Sequence, residues 1–280
     1  MNQKLLSTHE AAALLGVGTT SIKRWADDGL LACVKTAGGH RRYERDALIA
    51  FQQKHSGGAA APVPLPAPVM PHSLDAMDVW IERLVHGQGS GDVVEALRRD
   101  RAALGSWLAV AEALGQVITE VGRRWESGAI NVLQEHLASA RLGRALAIVC
   151  ESLKLPEDAP RALLLTAAAD DHTLGLQLVE LVLREAGWAG RWLGRRAPVE
   201  QIATFVQDGA AELVCVSASS YSTDGFSLAA QATRLADACA PTRVPLVLGG
   251  AGAWPEAPAY GTRVRQLGQL AELLPGLRNP

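Results

Sequence analysis

Cysteine is scarce in this chain of 280 residues: Cys33, Cys150, Cys215 and Cys239 stand far apart, and no CxxC pair occurs. That excludes a disulfide framework and a thiolate zinc site, leaving buried or incidental thiols in a reducing compartment as the expectation. Phe, Tyr and Met number only three each against seven Trp, so planar apolar surface is concentrated in indoles. Net charge is nearly absent: Lys+Arg 27 against Asp+Glu 29 gives -2, and any nucleic-acid surface has to be local. No stretch reaches the ~18 uninterrupted apolar residues of a membrane helix. Met1 to Lys4 lead straight into a helical pattern with no signal-peptide core, so a cytoplasmic protein without a membrane partner is expected. At 48% hydrophobic and 20% charged residues, the chain buries real cores, and its length suits about two or three domains.

One boundary is written in proline. Residues 56–72 hold Gly57-Gly58, an alanine run, and Pro62, Pro64, Pro66, Pro68 and Pro71; alternating prolines favour an extended, semi-rigid spacer. It separates residues 1–55 from a helical stretch at 73–155 and a third segment at 156–280. The helical stretch keeps 3–4 spacing at Ile81, Leu84 and Val85 and again from Leu108 to Val121, with breaks at Gly87–Gly91 and Glu126–Gly128, which predicts about four antiparallel helices. Beyond Pro156 short apolar runs (161–167, 190–193, 213–217, 244–250) alternate with helical stretches from Leu174, Val199 and Phe226. That grammar predicts a doubly wound parallel sheet. The expected fold is therefore multidomain: a winged helix-turn-helix, a four-helix bundle and an α/β Rossmann-like domain.

In residues 1–55, Leu5 onward starts a helix, with Ser7 as N-cap and Glu10 as its capping-box partner. Gly16 turns the chain into a second helix carrying Thr19, Thr20, Ser21, Lys23 and Arg24, with Trp25 as its core anchor. The run Thr36-Ala37-Gly38-Gly39-His40-Arg41-Arg42-Tyr43 then resembles the wing of the MerR transcription-factor family, where a glycine turn projects a basic hairpin. The resemblance implies contact with double-stranded operator DNA through Thr19, Thr20, Ser21, Lys23, Arg24, His40, Arg41, Arg42 and Tyr43. Eight basic residues against five acidic ones in this segment make binding weak per monomer and steeply salt-dependent, so multimerisation is expected. A protein-interaction winged helix is the alternative.

Directly after the first apolar run of the third segment stands Asp170-Asp171-His172-Thr173-Leu174-Gly175. It matches the D-x-H-x-x-G pattern of cobalamin-binding domains, at the strand-to-helix loop where a parallel sheet holds its ligand. The resemblance implies that His172 is the lower axial ligand of cobalt, in place of the cofactor's own dimethylbenzimidazole. Asp170 would accept the other imidazole N–H, and Gly175 would leave room for the corrin. Ser217, Ser219, Gly249 and Gly250 fall where such domains line the nucleotide-tail cavity. The sequence departs from the usual S-x-L or S-x-T by reading Ser217-Ala218-Ser219.

The helical segment adds Trp125, nine intervening residues, then Glu135-His136, with Val132 between. This resembles the cap of the CarH and LitR family of adenosylcobalamin photoreceptors, in which Trp125, Val132, Glu135 and His136 would surround the upper 5′-deoxyadenosyl group. The resemblance spans nearly the whole chain. It implies a non-enzymatic transcriptional regulator, a repressor that assembles as a homotetramer in darkness and releases its operator in light. Glu126 stands where the best-known relatives place a histidine that ligates cobalt after photolysis. With Ser219, it keeps open another tetrapyrrole, a bilin or haem, or a sensor of cobalamin level without a light switch. A corrinoid carrier module of a methyltransferase is the third reading, and it gives no reason for residues 1–55.

Overall fold

The computed structural model describes residues 5–15, 22–23, 25–26, 29–35, 41–55, 74–195 and 197–277. The chain divides into two compact units, Met1–Val69 and Met70–Pro280. The proline spacer lies outside the described residues.

In the first unit, β1 (Leu6–Ser7), α1 (Thr8–Leu15), β2 (Val34–Lys35), β3 (Arg41–Tyr43) and α2 (Arg45–His55) follow one another, and Ile22, Lys23, Trp25 and Ala26 have helical backbone. The three strands form an antiparallel sheet in the order β1-β3-β2. Leu6 and Ser7 are thus strand rather than the expected start of the helix, because they pair with Tyr43 and Arg42. The capping box is present: Ser7 N–H donates to Glu10 Oε2 at 2.8 Å, and Glu10 N–H donates to Ser7 Oγ at 3.2 Å. Ala11, Ala12, Ile22, Leu31, Tyr43 and Leu48 form the core. Trp25 packs on it with its ring 4.9 Å from Phe51, as expected of an anchor.

The second unit opens with four helices, α3 (Leu74–His86), α4 (Ser90–Leu104), α5 (Trp107–Ser127) and α6 (Val132–Ser152). Both long helices have side-chain N-caps: Ser106 Oγ accepts from Ala109 N–H, and Asn131 and Gln134 form a reciprocal capping box. The break at Gly105 and Ser106 falls inside the sequence's helical pattern, where Gly105 takes a left-handed φ of 82°.

There follow β4 (Arg161–Thr166), α7 (Leu174–Glu185), β5 (Ala189–Gly194), α8 (Val199–Gln207), β6 (Leu213–Ser217), α9 (Gly225–Cys239), β7 (Leu246–Gly249), β8 (Thr262–Arg263) and α10 (Leu267–Leu277). The five strands are parallel, ordered β5-β4-β6-β7-β8. Strand alternation splits the apolar residues between two cores. Leu164, Cys215 and Val247 face α7, α10 and the four helices, while Leu163, Val214 and Leu248 face α8 and α9. Bundle and sheet therefore share one core. Glu185 at the end of α7 fastens them further. Its carboxylate accepts from the Trp107 and Leu108 N–H groups at 2.8 and 3.0 Å, closing the N-terminus of α5.

Candidate functional site

The loop between β4 and α7 is built around one buried carboxylate. Asp170 is 2% exposed, and its carbonyl accepts from Thr166 Oγ1 at 2.7 Å. Oδ1 accepts from the His172 N–H at 2.9 Å and lies 2.9 Å from His172 Nδ1. Oδ2 accepts from the Ser219 N–H and, at 2.7 Å, from Ser222 Oγ. Burial by itself raises the Asp170 carboxyl, but these donors outweigh it and hold the group well below the usual carboxylate range. A carboxylate can only accept, so in the neutral ring the proton sits on Nδ1 and Nε2 keeps its lone pair. The hydrogen bond to Asp170 raises the His172 pKa above its ordinary value against partial burial, with the charges of Glu135 and Asp171 adding to it. The ring stays accessible, its side chain 56% exposed.

Three further groups surround the imidazole. Ser219 Oγ lies 3.2 Å from Nδ1. The Tyr221 ring stacks on the imidazole, centroids 4.7 Å apart and planes within 16°. The Tyr221 hydroxyl donates to Glu126 Oε1 at 3.3 Å, reaching the end of α5.

Behind the loop, at the C-terminal ends of the strands, a cavity of about 310 Å³ is lined by Gly175, Cys215, Ser217, Gly249 and Gly250, with Gly115 of α5 closing one side. A Cβ on Gly175 would meet only Ser217 Oγ, at 3.7 Å. Gly250, by contrast, has a φ of +89°, and a Cβ there would stand 2.2 Å from the Ala218 carbonyl, so no other residue fits. The rim is held by Arg263, whose guanidinium donates to the carbonyls of Leu248, Val264, Gly250 and Gly252.

The α5–α6 hairpin stands over this loop. Trp125 is 37% exposed and Val132 is exposed as well, so an indole and an isopropyl group lie open at the hairpin's tip instead of joining the bundle core. Glu135 accepts from Ser139 Oγ at 2.6 Å, and its charge acts on both His172 and Tyr221. His136 is exposed and lies 3.6 Å from Glu135 Oε2. Among the described residues, none of Trp125, Val132 and His136 hydrogen-bonds the His172 loop.

Asp170, His172, Ser217, Ser219, Gly175, Gly249 and Gly250 are thus brought together, and Glu135 acts on them from the hairpin. Tyr221, Ser222, Thr166 and Arg263 were missed in the sequence. The hydroxyl-rich run from Ser217 to Thr223 was the available signal, since a buried Asp170 needs donors. In the first unit Lys23 is exposed, and Arg41 and Arg42 are half-buried on the sheet. Tyr43 corrects an expectation: it is 0% exposed, a core residue that cannot touch DNA while the unit is folded. Thr19, Thr20, Ser21, Arg24 and His40 lie outside the described residues.

Residues 5–56 match the helix-turn-helix domain family, while residues 80–149 and 160–264 each match a B12 binding domain family. A solved structure of similar fold is the monomethylamine corrinoid protein of Methanosarcina barkeri, at a TM-score of 0.52 and 20% identity, covering 73% of this chain and 96% of that one. The fold and site define a helix-turn-helix protein with a two-part B12-binding region. Over 276 residues, 90% of this chain and 91% of the relative, it is 27% identical to the HTH-type transcriptional repressor CarH of Myxococcus xanthus. The HTH-type transcriptional repressor CarA of the same organism is 32% identical over 126 residues, 44% of this chain and 42% of its own. The chain thus carries a helix-turn-helix domain and a two-part B12 binding region, and is similar over nearly its whole length to a repressor of the CarH type. Among the described residues, no helix is long and apolar enough to cross a membrane.

Proposed function

We propose that the chain is a light-responsive transcriptional repressor that binds adenosylcobalamin between the α5–α6 hairpin and the β4–α7 loop. The observation that carries this reading is the Asp170-held imidazole of His172, with Nε2 free and accessible beside a glycine-lined cavity. The residues suit the group. His172 would hold the cobalt through Nε2 of its neutral ring, with Asp170 fixing the tautomer and orientation. Gly175, Ser217, Ser219, Gly249 and Gly250 would take the nucleotide tail. Trp125, Val132, Glu135 and His136 would face the adenosyl group, the indole by stacking and Glu135 as hydrogen-bond acceptor. When bound, adenosylcobalamin supplies a cobalt–carbon bond that light breaks.

The chain's own part is to couple occupancy to assembly. The hairpin tip must sit differently with and without an intact upper group, and the assembled homotetramer must favour one of those positions, since equal affinity for both shifts nothing. The N-terminal unit would hold operator DNA through Lys23, Arg24, Arg41 and Arg42, with Thr19, Thr20, Ser21 and His40 beside them. Gel filtration and DNA mobility shift of adenosylcobalamin-loaded protein, in darkness and after green illumination, test the reading. A DNA-binding dark oligomer that falls apart in light is expected; identical elution and DNA binding in both conditions would remove the light switch.

A bilin or haem in the same cleft is the second reading, favoured by Glu126, which offers a carboxylate bonded to Tyr221 where the family resemblance implies an imidazole. Stoichiometric bilin uptake with no uptake of adenosylcobalamin would select it.

A further inference from the structure

We propose that Tyr221 is the gate of the corrinoid site: stacked on His172 and hydrogen-bonded to Glu126, it bridges the loop and the helical hairpin and has to swing aside before the macrocycle reaches the imidazole. The inference rests on the corrinoid reading above and concerns three side chains of this chain.

The phenol runs parallel to the imidazole, 4.7 Å away, and extends past it to a carboxylate on α5. One side chain therefore spans the passage between the ligating loop and the hairpin above it. The phenol stands 4.7 Å to the side of the imidazole, within the reach of a macrocycle centred on that ring, so a phenol bridging to Glu126 and the macrocycle compete for the same space. Tyr221 is also suited to move. It sits in the irregular segment between β6 and α9, and the residue is 37% exposed. The backbone beside it is fixed separately, by the Ser219 and Ser222 bonds to Asp170. Rotation of the phenol thus leaves the Asp170–His172 pair in place. Glu126, exposed at the last turn of α5, has in this hydrogen bond a role distinct from cobalt ligation.

The test is stopped-flow uptake of aquacobalamin by the full chain, followed by corrin absorbance and by tryptophan quenching. Tyr221→Phe keeps the stack and removes the tether; Glu126→Ala removes the acceptor. Each variant is expected to take up the corrinoid about fivefold faster than the parent, the factor corresponding to one modest hydrogen bond. The double variant is expected to be no faster than either single one, because both break the same bond. Unfolding temperature and the spectrum of the loaded form should stay as in the parent. Uptake rates equal to the parent's, or additive effects in the double variant, would overturn the gate while leaving the corrinoid site standing. No uptake by the parent and all variants would overturn both.

Discussion

Oδ1 of Asp170 stands 2.9 Å from Nδ1 of His172, and the same oxygen accepts the His172 backbone N–H. One carboxylate atom thus fixes both the loop's turn and the imidazole's tautomer. The pair sets opposing pH dependences. The His172 pKa is raised, so the ion pair's stabilisation of the empty protein is full below the ordinary histidine value of about 6.5 and is lost as pH rises through the folded value. Cobalt needs the neutral ring. Corrinoid affinity should therefore fall about tenfold per pH unit once pH drops below that raised value. Asp170→Asn should move this midpoint to lower pH and weaken binding at neutral pH by roughly 10–100-fold. Spectral titration across pH 5–9 checks both; a midpoint unmoved by Asp170→Asn would show that the carboxylate does not control the ring.

Gly175→Leu is expected to fold normally and to lose corrinoid uptake. Its Cβ would meet only Ser217 Oγ at 3.7 Å, so the added isobutyl group grows into the cavity without a backbone clash. Thermal melting and equilibrium dialysis separate the two effects. Uptake at parental affinity would mean that the nucleotide tail lies elsewhere.

Gly250→Ala should behave in the opposite way, harming the empty protein first. A left-handed φ of +89° combines with a Cβ 2.2 Å from the Ala218 carbonyl. The strain costs about 1–3 kcal/mol, with more added by the overlap. A drop in unfolding temperature of several degrees is expected, measured without any ligand.

Arg263→Met removes donors to four carbonyls at the cavity rim. The guanidinium is partly buried, which lowers its pKa, yet it stays charged. Amide exchange at residues 249–252 should accelerate, with a loss of about 1–3 kcal/mol in stability. Unchanged exchange would show that the loop holds itself.

In the N-terminal unit, Arg42→Ala should weaken binding to any duplex DNA and reduce the slope of log K against log salt by about 0.9, the share of one phosphate contact. Tyr43→Ala, which empties a fully buried site, should instead unfold the unit, losing about 3–5 kcal/mol as large core truncations do. Salt-dependent binding and circular dichroism distinguish the two residues.

Much of this was legible from local chemistry. The run Leu213 to Ser217 is β6 to the residue, because a strand buried on both faces is apolar throughout and ends at a hydroxyl. Asp170, His172 and Gly175 match the pattern of cobalamin-binding domains, and the apolar run before them together with that resemblance implied a strand-to-helix loop. Less legible were elements that break propensity rules: α10 contains Gly268, Pro275 and Gly276, and is held as helix by Leu270 and Leu274 buried against the sheet core. Tyr43 was misread because a basic run suggests a solvent-facing hairpin, while strand alternation turns every second side chain inward. Tyr221 and Glu126 are 95 residues apart, and no spacing rule joins them.

Electron paramagnetic resonance of Co(II) cobalamin bound to protein labelled with 15N-histidine bears on the ligand itself. If His172 ligates, the nitrogen splitting changes from three-line to two-line on labelling, and His172→Ala abolishes that change. A three-line pattern that persists in labelled parent protein would mean that the cofactor keeps its own base and that His172 does not hold the metal.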